Sequence, residues 1–421
     1  MLNVVEAFSG IGSQAEALKN AKIEHNIPAI VEWEVGAMYA YDILHNGPQY
    51  LKDYRFHTKD SLVQELLKFN ISTDGKEHLS NEALTKMPMG QLKSIYASIE
   101  RTNNLIDISN VTAEELPDDV DVLTYSFPCQ DLSIGSFWHN NSSGIDKDAN
   151  NRSGLLWQIE RLLKDYCNIG KKMPKFLLME NVSAILSKRN IGNFRMWQSF
   201  LENLGYINQV YTLNSKNFHI PQNRQRTFMV SVLVGEDTNK RNAVEEYFFE
   251  NNLENICLDD NEIHPIGKFL RLDYSNATYK REAIESTPNY TPSRVKIFET
   301  NKILAVDNVS NDTMIANTVT TKQDRNPNSG LIEFRDINLV DGAKYRNLTP
   351  RECFLLMGFN EESYDLLLEN NPLITKSRSI LSPSKLYKLA GNSIVVPILE
   401  EIFKQIDTID KKILNCEKIG V

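Results

Sequence analysis

The sequence predicts an α/β protein with a doubly wound, mostly parallel sheet and a second, smaller, irregular domain. Three observations predict it. From residue 1 to 235 short apolar runs alternate with longer amphipathic stretches, the pattern of strands covered by helices. A glycine-rich turn, Phe8-Ser9-Gly10-Ile11-Gly12-Ser13-Gln14-Ala15, follows the first apolar run and opens the first helical stretch. Between 236 and 345 the periodicity weakens, and Asn, Thr, Pro and Asp break up short strand-like pieces. The expected division is 1–235 for the large domain, 236–387 for the second domain and hinge, and 388–421 for a return to the first.

Strands are expected over residues 2–8, 29–32, 120–126, 176–179, 206–213 and 227–233, each an apolar or β-branched run. Helices are expected over 12–20, 35–45, 61–69, 155–167 and 193–204, where apolar positions recur at helical spacing. Helical pattern returns at 349–357, where Thr349 precedes Pro350 and Glu352, a helix-start signature. A last helix over 398–406 alternates apolar and charged positions and is expected to pack back on the sheet. The polar stretch 134–151 is long for a strand-to-helix connection, a length typical of lids or disordered loops.

Composition bounds the class. Of 421 residues, 41% are hydrophobic and 24% charged, which fits a globular chain and excludes a disordered or fibrous one. No run approaches the roughly 18 apolar residues that suggest a membrane span, and the first residues lack the basic-then-apolar pattern of an export signal. Five cysteines are scattered without C-x-x-C spacing, so neither a disulfide framework nor a metal cluster is expected, and a reducing cytoplasm fits. The net charge of −9 neither supports nor excludes nucleic acid, because distribution matters more than total. Acid gathers between 236 and 262, while 268–346 is balanced and rich in Arg, Lys, Asn and Thr.

The glycine turn suits a nucleotide. Gly10 and Gly12 permit a tight turn and close ligand approach, and Ala15 lets helix and strand pack. Glu32 ends the second expected strand, where an acid accepts from ribose hydroxyls; Trp33 can lie against a purine. Asp107, in Leu105-Ile106-Asp107-Ile108, can accept from an adenine amino group at the end of the next expected strand. Taken literally the turn is also the dinucleotide fingerprint G-x-G-x-x-A, so a nicotinamide dehydrogenase competes with an S-adenosylmethionine enzyme.

Phe127-Pro128-Cys129-Gln130 places a thiol at the carboxyl end of an apolar strand, where open α/β sheets hold their chemistry. Its thiolate is a nucleophile. Glu180-Asn181-Val182 follows a second apolar strand, and Gln222-Asn223-Arg224-Gln225-Arg226 precedes a third. Read singly, Cys129 is a small core residue, Glu180 a charge at a helix start, and the arginines surface ion pairs.

Assembled in order, FSGIGSQ (8–14), EW (32–33), FPCQDLS (127–133), ENV (180–182), QNRQR (222–226), RNLTPRECFLLMGF (346–359) and AGNS (390–393) resemble the DNA cytosine-5 methyltransferases. TYSFPCQDLS, RSGLLW and LLMENV look most like the mycoplasma-type enzymes that methylate CG dinucleotides. The resemblance implies a Rossmann-like, S-adenosylmethionine-dependent large domain and a target-recognition domain. It implies Cys129 as nucleophile towards carbon 6 of cytosine, Glu180 at ring nitrogen 3, Arg226 near the carbonyl oxygen and Arg224 nearby for orientation or a phosphate. The target base would have to leave the duplex, with the loop 133–152 closing over it. Phe8, Ser9, Gly10, Gly12, Glu32, Trp33, Asp107, Ile108, Pro128, Leu155, Asn392 and Ser393 are the implied cofactor residues, with Leu156 beside Leu155. Gln130, Ser133, Ser136, Arg152, Thr318, Lys322 and Arg325 are the implied DNA contacts, although Thr318 to Asn326 also reads as a solvated hairpin tip.

Arg346 and Arg351 can brace the recognition domain or touch DNA, and 360–387 has no assigned role. No metal is expected. The partners implied are double-stranded DNA and a cognate restriction endonuclease, for a monomer in the cytoplasm of a bacterial or phage-infected cell. Alternatives are an RNA cytosine-5 methyltransferase with the same blocks, the dehydrogenase, and a catalytically silent DNA-binding module.

Overall fold

The computed structural model describes residues 1–55, 57–128, 145, 152–259, 261–336, 343–375 and 378–415. The chain forms two compact units, each built from separated segments. The first comprises Met1–Leu213, Gln225–Ile256 and Leu399–Val421; the second comprises Asn214–Arg224 and Cys257–Ile398. Sequence placed the boundaries at 236 and 388, whereas the compact units divide at 257 and 399, with 214–224 crossing to the second.

The first unit holds a six-stranded sheet of β1 (Leu2–Ala7), β2 (His25–Val31), β3 (Val122–Tyr125), β4 (Phe176–Val182), β5 (Tyr206–Asn214) and β6 (Gln225–Leu233). Its order is β2-β1-β3-β4-β6-β5. β1, β2, β3 and β4 run parallel, and β6 lies antiparallel to β4. β1 is buried along nearly its whole length, as a strand covered on both faces must be. β2 lies on one side of β1 and β3 on the other, so the order reverses at β1. That reversal opens a crevice at the carboxyl ends of β1 and β3, the usual ligand position in such sheets.

The helices of this unit are α1 (Ser13–Asn20), α2 (Val35–Asn46), α3 (Lys59–Leu67), α4 (Asn81–Lys86), α5 (Met89–Arg101), α6 (Leu156–Asn168), α7 (Ile191–Asn203) and α8 (Thr238–Glu250). Leu156, Ile159, Leu163 and Tyr166 form one buried stripe of α6 and join Leu123, Tyr125, Met179 and Trp197 in the main core. α3, α4 and α5 build a second core with α2 through Leu62, Leu66, Leu84, Leu92, Ile95, Ile99 and Met38. α4, α5 and α8 were not expected, though Leu92, Ile95 and Ile99 carried the helical period. Ser80 starts α4 by accepting from the Ala83 amide.

Three local expectations are corrected. β4 runs to Val182, so Glu180 and Asn181 lie inside the strand rather than after it. β6 begins at Gln225, so Arg226 is also a strand residue. Asp107 does not end a strand: an isolated parallel bridge joins Asn104 to Ile30, and the chain then turns with Ile106 at a positive φ of 65°. Backbone pairing along an antiparallel neighbour extends β4 beyond its apolar run, whereas the 105–108 run lacks a ladder partner.

The second unit is less irregular than its composition suggested. It contains α9 (Ala277–Glu285), α10 (Pro292–Thr300), α11 (Pro350–Leu355), α12 (Glu361–Glu369) and α13 (Pro383–Asn392). A four-stranded sheet is ordered β10 (Tyr345–Asn347), β9 (Leu331–Glu333), β7 (Ile303–Val306), β8 (Val309–Ser310). Asp307 and Asn308, both at positive φ, make the two-residue turn between β7 and β8, a left-handed geometry that suits Asp and Asn. Thr349, Pro350 and Glu352 start α11 with a complete capping box, as the sequence predicted. A last helix, α14 (Val396–Ile409), contains the division at residue 399.

Candidate active site

At the carboxyl edge of the first unit's sheet, Glu180 and Arg226 come together. β3 leads through Phe127 and Pro128 towards Cys129; Cys129, Gln130, Ser133 and Ser136 lie outside the described residues, as does the side chain of Arg152. The start of this segment is fixed. Asn181 on β4 donates through its side-chain nitrogen to the Phe127 carbonyl at 3.0 Å, while its own side-chain oxygen accepts from the Val182 amide at 2.9 Å. Asn181 is 2% exposed, so this is a buried tether, and its loss would strand a carbonyl. Ile145 is fully buried in the main core, and its carbonyl accepts from the Trp157 indole at 3.1 Å.

Glu180 and Arg226 occupy the same face of the sheet. In the antiparallel register Glu180 opposes Phe228 and Val182 opposes Arg226, so the pair is diagonal across two strands. Arg226 Nε stands 3.4 Å from Glu180 Oε1, with side-chain exposures of 17% and 12%. A second guanidinium nitrogen donates to the Gln225 carbonyl at 2.7 Å. A carboxylate and a guanidinium thus stand together, partly open, beside the strand that tethers the Pro128 segment.

Arg224 is used differently. It belongs to the second unit, is 2% exposed, and donates to the carbonyls of Val319, Gly391 and Ser393 at 2.7–3.0 Å. Its side chain ties the Val319 segment to the end of α13 within its own unit, and the expectation that it joins the catalytic group gives way to a bracing position. Gln222 acts alongside, accepting from the Val319 amide and donating to the Leu356 carbonyl. Asn392 and Ser393 lie in this same unit, where the Ser393 hydroxyl donates to Leu389.

The glycine turn crosses from β1 to α1 with Phe8, Gly10 and Gly12 at φ of 58°, 57° and 79°. A Cβ added at Gly10 would meet nothing within 4 Å, so the turn presents an open side. Glu32 accepts from the Gly10 amide at 3.0 Å and the Glu34 amide at 2.8 Å. Burial pushes its carboxyl up to about 7, the amide hydrogens offsetting part of the rise. Ser9 is buried, and its carbonyl accepts from Gly12. The Trp33 ring meets His78 edge-on at 5.4 Å. Asp107 accepts from the Ser109 amide and from the side chain of Asn70. Ile108 is a core residue, and Leu155 packs at the core's rim.

In the second unit Lys322 and Arg325 are exposed, with Arg325 3.5 Å from Asp324. The Thr318 hydroxyl donates to the Asn223 carbonyl. Gln323, next to Lys322, is fully buried and bonded to Ser329. Arg346 and Arg351 are also buried. Arg346 holds Glu352 through two nitrogens at 2.7 and 2.8 Å, and Arg351 holds Glu282. Glu361 and Asp365 of α12 complete the shell around Arg351, which resolves the choice left open for it and gives part of the 360–387 segment a bracing role. Sequence reasoning missed this network; the only signal was two acids ahead of an apolar stripe in α12.

The fold is that of the Rossmann-like methyltransferases. It superposes on the crystal structure of the S. pombe Dnmt2 methyltransferase with a TM-score of 0.59 at 18% identity, covering 98% of this chain and 100% of that one. The chain belongs to the C-5 cytosine-specific DNA methylase family, whose sequence model matches residues 83–408. It is 32% identical to the type II methyltransferase M2.ScrFI of Lactococcus lactis subsp. cremoris, over 96% of this chain and 99% of that protein. It is 30% identical to the orphan methyltransferase M.SssI of Spiroplasma monobiae, over 96% and 97%. The family assignment removes the dehydrogenase reading and disfavours the RNA-directed one. Among the described residues no helix is long and apolar enough to cross a membrane.

Proposed function

We propose that this DNA cytosine-5 methyltransferase works through Cys129, Glu180 and Arg226 on a cytosine swung out of a specific duplex sequence. The observation that carries the assignment is the Glu180–Arg226 pair on β4 and β6, next to Asn181, which pins the segment leading to Cys129. The Cys129 sulfur adds to carbon 6 and pushes electron density to carbon 5, which is otherwise a poor nucleophile. Glu180 shares a proton with ring nitrogen 3 as charge develops there, and Arg226 faces the carbonyl oxygen. After transfer, a base removes the carbon 5 proton and the carbon–sulfur bond breaks, returning the thiolate.

The cofactor is S-adenosylmethionine, which when bound supplies an electrophilic methyl group on a sulfonium. The residues present fit it: the open side of the turn at Gly10 leaves room for close approach, and Glu32 offers a carboxyl to ribose hydroxyls. Phe8, Ser9, Gly12, Trp33, Asp107, Ile108, Pro128, Leu155, Asn392 and Ser393 complete the proposed set. Lys322 and Arg325, exposed in the second unit, are the described candidates for base edges or phosphates, with Thr318 beside them. Gln130, Ser133, Ser136 and Arg152 are proposed to contact DNA around the flipped base. The protein is proposed to act as a monomer in the cytoplasm, with a CG-containing site and a cognate restriction endonuclease as its functional counterpart.

A duplex carrying 5-fluorocytosine at the target tests the central step, since fluorine cannot leave as the proton does. In the presence of S-adenosylmethionine the wild-type protein is expected to become covalently attached. Cys129→Ser should show neither attachment nor methyl transfer from a radiolabelled donor, a loss of at least about a thousandfold, while still binding DNA. Undiminished methylation by that variant would refute the assignment.

A further inference from the structure

The glycine turn has a back as well as a front. At Gly10 the front is open, but a Cβ at Gly12 would lie 2.2 Å from His45 Nε2 and 2.8 Å from Tyr41 Cε2. The last turn of α2 therefore forms the floor beneath Gly12. His45 Nε2 stands 3.0 Å from the Ile11 carbonyl, the residue between the two glycines. A carbonyl only accepts, so the ring carries its proton on Nε2. Burial pushes this imidazole down to about 4, which leaves it neutral at ordinary pH and still a donor.

The ring is itself fixed. Its neighbour Tyr41, one helical turn back, lies 4.6 Å away between ring centroids, and the Tyr41 hydroxyl points to Glu6 Oε1 at 3.5 Å. Glu6, near the carboxyl end of β1, also accepts from the Ala15 amide in the first turn of α1. β1, α1 and α2 thus converge on one small polar chain directly behind the turn. The turn needs such support. Three of its five residues sit at positive φ, including Phe8, which carries a side chain, and each such non-glycine residue stores strain that its surroundings must hold.

We propose that His45 is a positioning residue for the cofactor: by donating to Ile11 it holds the Gly10–Gly12 turn in the shape that receives S-adenosylmethionine. This rests on the turn being the cofactor cradle. His45 touches the back of the turn only, so its effect falls on cofactor affinity rather than on the chemical step.

The test uses the full-length protein, with binding of S-adenosylhomocysteine measured by calorimetry. H45L keeps the bulk and removes the donor, and is expected to weaken binding about tenfold. H45Q, whose amide nitrogen reaches the position of Nε2, is expected to restore affinity to within about threefold of wild type. In turnover assays H45L should raise KM for S-adenosylmethionine while kcat at saturating cofactor stays within about twofold. Should H45L not fold, H45N replaces it with the same expectation, because its shorter side chain falls short of Ile11. Unchanged affinity in H45L or H45N overturns the proposal, and so does folded H45Q that binds as weakly as H45L. Wild-type protein that binds no S-adenosylhomocysteine would instead overturn the functional reading. Binding abolished by E32A but untouched by H45L overturns this inference alone.

Discussion

Two arginine–glutamate pairings, one in each unit, use the same groups for opposite ends. Arg226 and Glu180 meet through a single approach of 3.4 Å and remain partly open. Arg346 and Glu352 are both fully buried and meet through two nitrogens and two oxygens at 2.7 and 2.8 Å. The buried pair is saturated further: Glu352 accepts from the amides of Thr349 and Arg271, and Tyr274 stands beside Arg346. A charge pair closed on all sides has nothing left to offer a substrate, and breaking it leaves an uncompensated charge. A pair left loose and partly accessible costs less to hold. Geometry and saturation, rather than residue type, separate the bracing pair from the pair proposed to meet the substrate.

The contrast is sharpened first by removing one partner of each. Arg346→Met is expected to destabilise the protein by about 3–5 kcal/mol, read as a fall in denaturant midpoint. Arg226→Ala is expected to shift stability by no more than about 1 kcal/mol, yet to lower kcat/KM for methyl transfer roughly a hundredfold or more. An Arg226 variant that unfolds like the Arg346 variant, or one that methylates normally, would break the comparison.

A smaller effect concerns Glu6, a buried carboxyl held by the Ala15 amide and the Tyr41 hydroxyl. Burial pushes it up to about 8 from an ordinary 4.5, offset in part by the Ala15 amide and Tyr41. The folded state therefore keeps a proton that the unfolded chain has already released above 4.5. The stability Glu6 contributes is complete below that value and declines as pH rises through about 8, at up to about 1.4 kcal/mol per pH unit. Glu6→Gln, neutral throughout, should flatten that decline in equilibrium unfolding measured between pH 5 and 9. An unchanged slope would show that Glu6 is not its source.

How much of this was legible beforehand follows from what each signal depends on. Strands β1, β3 and β6 and helices α1, α2 and α6 announced themselves through period and composition, because their burial is local and one-sided or complete. The capping box at Thr349 was read correctly since it involves only residues three apart in sequence. Motif order carried the family, and with it Glu180 and Arg226, which the fold brings within 3.4 Å of each other. What sequence could not supply was pairing across distance. Arg224 sits two residues from Arg226 yet binds carbonyls near residues 319 and 391, and nothing in QNRQR distinguishes the two. Asp107 was misplaced on a strand because Leu105 and Ile108 are apolar for core reasons, not for a ladder. The Arg351 shell needed Glu282, 69 residues earlier, to be understood.

The chain path itself has a consequence for synthesis. It passes from one unit to the other after Leu213, returns after Arg224, leaves again after Ile256 and comes back after Ile398. The first unit draws Gln405 and Asp410 from its final segment, bonding Tyr211 and Lys175. A ribosome must therefore release residues 405–410 before that sheet acquires these supports. Exchanging the second unit between relatives cannot be a single cut and splice, for a graft at 257 and 398 leaves residues 214–224 of the old owner inside the new one.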